Sequence, residues 1–395
     1  MRLAHLADVH LGYRQYYRQT AAGINQREAD VARAFTRAID GVIAQRPDAV
    51  VVAGDLFHSV RPTNQAIVHC FRQFQRLREA LPKAPVALVA GNHDTPRATE
   101  TGSILRLFQE LGIQVAADDA EAVSFPDLDL ALTLVPHQAL MAADRLALEP
   151  QASARYQVLV VHGEVDGLFP LDRWWAEPGG ALLDPAELVR GDWSYVALGH
   201  YHVMREVRER IWYAGAVEYT TPNPWGELIE ERKSGARGKG WLLIDLESGK
   251  VERHYLKLER RLIDLNPIDA VDHSAEEIDR LLQERLASVK GGIADQVVRL
   301  VVHDIPRHQT RELDHAAIRA AKAAALHFHL DLRRPEVHRT IGVGAPGPRQ
   351  TLTDVVRGFL ARRPLPEKVD RDAFVDRGVA LLESVSFDPD TGPGA

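Results

Sequence analysis

Two textures alternate through roughly the first 220 residues. The runs "RLAHLADVH", "DAVVVAGDLFH", "APVALVAGNHD", "YQVLVVHGEV" and "WSYVALGHYH" are short, apolar and rich in β-formers, and they read as strands. Between them, apolar residues recur three and four apart from Gln26 to Gln45 and from Gln65 to Leu81, which predicts helices. This alternation predicts a layered α/β domain.

From about Glu259 the pattern changes. "RRLIDLNP" and "ADQVVRLVVHDIP" flank a helix over Ala275 to Ser288, whose Ile278, Leu281, Leu282 and Leu286 share one face. "LDHAAIRAAKAAAL" predicts a second helix with Asp314 as N-cap, and "LHFHLDLRRPEV" a closing strand. The result is a small β-α-β-α-β block. "TIGVGAPGPRQT" has no periodicity and reads as a linker, after which "LTDVVRGFLARR" and "DRDAFVDRGVALLESV" predict two short amphipathic helices. The expected divisions are therefore 1–258, 259–339, a linker at 340–351, and 352–395.

Composition narrows the class. At 395 residues, with 45% hydrophobic and 26% charged residues, this is a globular chain, and a net charge of −7 confines any nucleic-acid surface to local patches. The single cysteine, Cys70, excludes an intrachain disulfide and falls on an apolar helical run, as a core residue would. No apolar run is long enough to span a bilayer, and Met1 leads straight into a strand without a leader pattern. A cytoplasmic protein without a membrane partner is expected.

The chemistry lies at the strand ends. Five apolar strands finish in groups that bind hard or borderline divalent metals: Asp8 and His10, Asp55, Asn92 and His93, His162, and His200 with His202. Ligands of α/β sheets gather beyond the carboxyl ends of the strands, so these ends can converge. "DVH" and "HYH" put their two ligands on one face of an extended chain. Carboxylate, amide oxygen and imidazole without thiolate suit manganese, iron or zinc. There are more ligands than one catalytic metal with open positions can use. Two metals sharing a carboxylate account for them, with Asp55 as the bridge.

"DVHLG", "GDLFH", "GNHD", "VHG" and "GHYH", in this order, resemble the calcineurin-like metallophosphoesterases. "GDLFHSVRPT" and "YAGAVEYTTPNPWGE" narrow the resemblance to the SbcD-type nuclease branch. The resemblance implies a β-sandwich flanked by helices, with the 259–339 block as a DNA-capping domain and the terminal helices as a docking segment for an SbcC-like ATPase. It assigns Asp8, His10, Asp55 and His202 to one metal and Asp55, Asn92, His162 and His200 to the other. His93 would face the scissile phosphate as acid or stabiliser, Asp94 would orient its ring, and His58 would meet the phosphate or support His93. It further implies two Mn2+ ions, 3′-to-5′ exonuclease action on duplex ends, endonuclease action on single strands or hairpins in double-strand-break repair and recombination, and a homodimer within a heterotetramer.

"LGYRQYYRQT" interleaves Arg14 and Arg18 with Tyr16 and Tyr17, which suits contact with phosphates and splayed bases, and equally an ordinary polar loop. Arg61 and Arg97 follow metal motifs closely enough to reach a phosphate backbone. "ERKSGARGKG" is the most basic short run and reads as well as a solvated hairpin. Two other functions compete with a nuclease: a phosphodiesterase or phosphatase of the same superfamily, and a non-catalytic scaffold.

Overall fold

The computed structural model describes residues 1–96, 102–143, 145, 147–150, 153–168, 180–335, 352–363, 365 and 369–384, so Arg97, the 340–351 stretch and residues 385–395 lie outside the described residues. Two compact units emerge, 1–334 and 335–395.

In the first unit two six-stranded sheets stack. One runs β14 (Val251–Tyr255), β13 (Gly240–Asp245), β1 (Arg2–Leu6), β2 (Ala49–Ala53), β3 (Val86–Val89) and β4 (Gln114–Ala116). The other runs β11 (Arg205–Arg208), β12 (Ile211–Tyr213), β10 (Tyr195–Gly199), β7 (Tyr156–His162), β6 (Leu130–Val135) and β5 (Glu121–Phe125). A short pair, β8 (Glu164–Val165) with β9 (Leu182–Leu183), follows β7. Helices α1 (Gln26–Gln45) and α2 (Asn64–Ala80) contact each other and pack on the first sheet, while α3 (His137–Met141), α4 (Pro185–Arg190) and α5 (Pro224–Ser234) are shorter. This is the helix-flanked β-sandwich that the family resemblance implies, and a form of the layered α/β domain that the alternation predicts.

Strand β2 shows why "AVVVA" carries no polar residue. Ala49, Val51 and Ala53 point between the sheets with Leu3, Ala87 and Val160, while Val50 and Val52 point towards Phe35, Ile39 and Phe74 under the helices. A strand buried on both faces needs continuous apolar sequence. The parallel register aligns the strand ends, with Leu6 opposite Val52, Ala53 opposite Val89, and His162 opposite Gly199. That alignment sets the site at one end of the sandwich.

A third sheet follows in the same unit. Its strands β15 (Leu262–Asp264), β16 (Ile268–Asp269) and β18 (His327–Leu332) all pair in parallel with β17 (Val297–His303). Helices α6 (Ala275–Ala287) and α8 (His315–Ala324) cover it through Ile278, Leu282, Leu286 and Ile318. β16 and the polar helix α7 (Arg307–Glu312) are additions to the expected block, and both are too short to show a period. In the second unit, α9 (Leu352–Ala361) packs on α10 (Arg371–Ser384), with Val375 and Val379 buried and Val355, Phe359 and Leu381 exposed.

Candidate metal centre

The loops that leave β1, β2 and β10 adopt backbone conformations that side chains normally avoid. Asp8, His10 and Asp55 have φ of 50°, 52° and 50°, and His200 has 100°. Such residues persist only where surrounding structure over-determines them. Here Asp8 N–H donates to the Gly54 carbonyl at 3.0 Å, His10 N–H to Asp55 O at 2.9 Å, and Leu11 N–H to Leu56 O at 3.0 Å, lacing one ligand loop to the other. Two glycines permit the close approach. A Cβ on Gly54 would lie 2.2 Å from His162 Nδ1, and one on Gly91 2.1 Å from Asp55 Oδ1.

The loops gather their side chains into adjoining groups. Asp8, His10 and His202 form one, and Asp55, His162 and His200 another, each with ligand atoms within 4.8 Å of one another. Asn92 Oδ1 joins the second group, 3.0 Å from His162 Nε2 and 3.2 Å from His200 Nδ1. Asp55 touches both, with Oδ2 3.3 Å from His162 Nε2 and 3.7 Å from His10 Nε2. His162 turns Nε2 inward because its Nδ1–H donates to the Ala53 carbonyl at 2.9 Å. A third group places His58 with His10 and His93; the His58 and His93 rings stack at 5.0 Å.

These groups fit divalent cations. Asp8 and Asp55 are fully buried, and Asp8 Oδ2 lacks a hydrogen-bond donor among the described residues. Buried carboxylates without compensation are costly, so the centre calls for positive charge. The protonation pattern shows the same demand. Burial pushes the Asp8 carboxyl up to about 6, against the pull of His202 and His162. Burial disfavours the charged form of His162, yet Asp55 and Asp8 beside it push its pKa up to about 9. Burial likewise works against ionised Asp55, but the His162 and His10 rings hold its carboxyl well below the usual range.

The remaining predicted residues are distributed unevenly. Asp94 does not stand as the orienting acid expected for His93. Its carboxylate accepts the main-chain N–H groups of Leu56, Phe57 and Gly91 at 3.0, 3.0 and 3.2 Å, and His93 Nδ1 instead meets the His58 carbonyl at 2.8 Å. Burial, then the Asp55 charge, push Asp94 up to about 7. Tyr16 stacks on His327 with ring centroids 4.1 Å apart, and Arg18 pairs with Asp295 and donates to Ala323 O at 2.8 Å and Ala325 O at 3.0 Å. Both residues thus join the third sheet to the sandwich. Arg14 pairs with Glu28 at 2.7 Å while staying largely exposed. Tyr17 and Arg61 are exposed.

Three residues near the centre escaped sequence reading: Thr220, Glu227 and Lys239. Lys239, inside the run read as a basic hairpin, is buried between Glu227 and Glu231. Burial works against ionised Glu227, but Lys239 and His202 bring its carboxyl down to about 2. The available signal was Trp241, which marks the start of a buried strand two residues after Lys239.

The model of the calcineurin-like phosphoesterases matches residues 1–204, just over half of the chain and the whole span from Asp8 to His202. This protein belongs to that family. Relatives of the phosphoesterase extend beyond the matched span. The DNA double-strand break repair protein Mre11 of Sulfolobus acidocaldarius is 26% identical over 73% of this chain and 72% of its own. Its namesake from Methanopyrus kandleri is 25% identical over 99% of this chain and 85% of its own. That of Methanocaldococcus jannaschii is 28% identical over 64% of each. Among the described residues of this phosphoesterase, no helix is long and apolar enough to cross a membrane.

Proposed function

We propose that this phosphoesterase is a two-metal DNA nuclease acting in double-strand-break repair, as an exonuclease on duplex ends, 3′ to 5′, and an endonuclease on single strands. The observation that carries this reading is the pair of ligand groups sharing Asp55, with His93 and His58 stacked at their edge. The Mre11 relatives supply the substrate class.

Asp8, His10, Asp55 and His202 would hold one ion, and Asp55, Asn92, His162 and His200 the other, with Mn2+ as the expected metal. When bound, such ions activate water near neutral pH and offset charge on a phosphodiester. The protein's own groups do the rest. Asp55 holds the two ligand groups at one separation and anchors the His93 main chain at 2.9 Å. His93, with Nδ1 engaged by the His58 carbonyl, would present Nε2 to protonate the departing oxygen or stabilise charge on the phosphate. Arg14, Tyr17 and Arg61, all exposed, would supply phosphate and base contacts. The third sheet would cap the DNA. The exposed Val355, Phe359 and Leu381 of the tail would dock an SbcC-like ATPase in a dimer of heterodimers.

The test is manganese-dependent release of nucleotides from linear duplex DNA by the full chain, beside hydrolysis of an aryl phosphodiester. DNA degradation abolished by chelation is expected. Aryl diester hydrolysis without DNA cleavage would return the protein to the small-molecule phosphoesterases, and inactivity on both substrates would leave a scaffold.

A further inference from the structure

Behind His202 lies a buried charged network that the ligand set does not explain. Lys239 Nζ pairs with Glu227, lies 3.1 Å from Glu231 Oε1, and donates to the His202 carbonyl at 2.7 Å. Glu227 and Lys239 are both essentially inaccessible to solvent. Glu227 Oε1 accepts the Thr221 hydroxyl and lies 3.9 Å from His202 Nδ1; Thr220 Oγ1 is 3.4 Å from the same nitrogen. The far side of the ring belongs to the ligand group, with Nε2 3.0 Å from His10 Nε2. One imidazole nitrogen therefore faces an acid and the other faces Asp8 and His10.

We propose that Glu227, held by Lys239, is a positioning residue for His202: its negative charge, 3.9 Å from Nδ1, favours the proton on that nitrogen, beside the Thr220 hydroxyl, and leaves the Nε2 lone pair to the metal centre. The physical reason is that a neutral imidazole can ligate through only one nitrogen, and the group opposite the other nitrogen selects which. Lys239 grips both the acid and the main chain of the histidine, so the ring's height and its tautomer are set together. Without Lys239, two carboxylates would face each other in a buried space, which explains why a lysine is enclosed here. Glu227 on α5 and Lys239 before β13 are remote in sequence from every ligand motif.

This inference rests on His202 being a metal ligand. The test uses the full chain stripped with chelator, with Mn2+ uptake measured by equilibrium dialysis and the imidazole tautomer read from 15N spectra of the metal-free protein. The His202 signal is assigned by its loss in His202→Gln. Glu227→Gln is expected to weaken one of the two Mn2+ equivalents by roughly 10- to 100-fold and to move the His202 proton from Nδ1 to Nε2. Glu227→Asp, which keeps the charge, is expected to retain the wild-type tautomer.

The charge-balanced variant Glu227→Gln/Lys239→Met separates positioning from simple neutralisation and guards against misfolding of the single variant. Persistent weak uptake in it supports positioning; recovery to wild-type uptake overturns it. Unchanged uptake and tautomer in Glu227→Gln also overturn it. If His202→Gln takes up both equivalents as tightly as wild type, the ligand reading itself fails and the proposal falls with it.

Discussion

Asp55 Oδ1 accepts the main-chain N–H of His93 at 2.9 Å. One carboxylate therefore contacts both ligand groups and fixes the loop bearing the proposed acid. Replacing Asp55 with Asn keeps an oxygen for the His93 amide but removes the charge. Asp55→Asn is expected to fold, to lose both metal equivalents and to lose DNA hydrolysis. Elemental analysis of the purified variant checks this, and near-normal manganese content would reject the shared-carboxylate assignment.

His93 is assigned to proton transfer rather than to ligation. His93→Ala should bind both metals and lower turnover by roughly 10² to 10⁴, the usual scale for losing an acid or an oxyanion stabiliser. Metal content and single-turnover rates, measured on one preparation, decide between the roles. Loss of one metal equivalent would make His93 a ligand.

His5 gives a pH-dependent stability that is independent of catalysis. It is fully buried against Tyr195, with Nδ1 3.0 Å from the hydroxyl, and burial pushes its pKa down to about 3, with a main-chain hydrogen bond at Leu198 opposing. Between about pH 3 and the unfolded value of about 6.5, the unfolded chain binds a proton that the folded chain refuses. Stability therefore falls as pH drops through that window, with a slope approaching about 1.4 kcal/mol per pH unit from this one group. His5→Gln should show a shallower decline of the urea midpoint over the same range in chelator. Parallel profiles for the two proteins would show that His5 accepts its proton in place.

The tail predicts a separable activity. Truncation after Gly347 removes α9 and α10 and should leave manganese-dependent cleavage by the isolated chain intact, while ending co-purification with the ATPase and ATP-stimulated cutting. Short helices are marginal in water unless an apolar face is covered, and Val355, Phe359 and Leu381 are exposed. A truncated chain that still binds the ATPase and still responds to ATP would refute the docking role.

Much of this architecture could be read from pattern because the residues that build it obey a period. α1 was legible from Gln26 to Gln45 because only one of its faces is buried, and β2 from its unbroken apolar run because layers cover it on both sides. β11, with the sequence "REVR", was not legible, because an edge strand built mainly of charged residues shares its pattern with a loop. At the centre, the ligand types stood at strand ends in plain view. Asp94 misled for a different reason. An acid next to a histidine in sequence suggests a partner, whereas the turn after β3 sends the carboxylate to three backbone amides. Glu227 and Lys239 were hidden because opposite charges meeting across a turn resemble a solvated surface until their burial is known.

The stack of Tyr16 on His327 and the pairing of Arg18 with Asp295 have a mechanical meaning. Both anchors sit a few residues beyond His10, on a segment also fastened by Gln15 Nε2 to the Pro222 carbonyl at 3.2 Å, by Arg14 to Glu28 at 2.7 Å and by the Tyr13 hydroxyl to the Thr221 carbonyl at 3.1 Å. Tension applied through these two anchors is shared with the start of α1, where the Gln26 N–H and the Asn25 amide each donate, at 2.9 Å, to the Arg18 and Tyr16 carbonyls respectively. A pull of this kind is therefore borne by α1 and by the loop at Thr221 and Pro222, next to the Thr220 that stands behind His202.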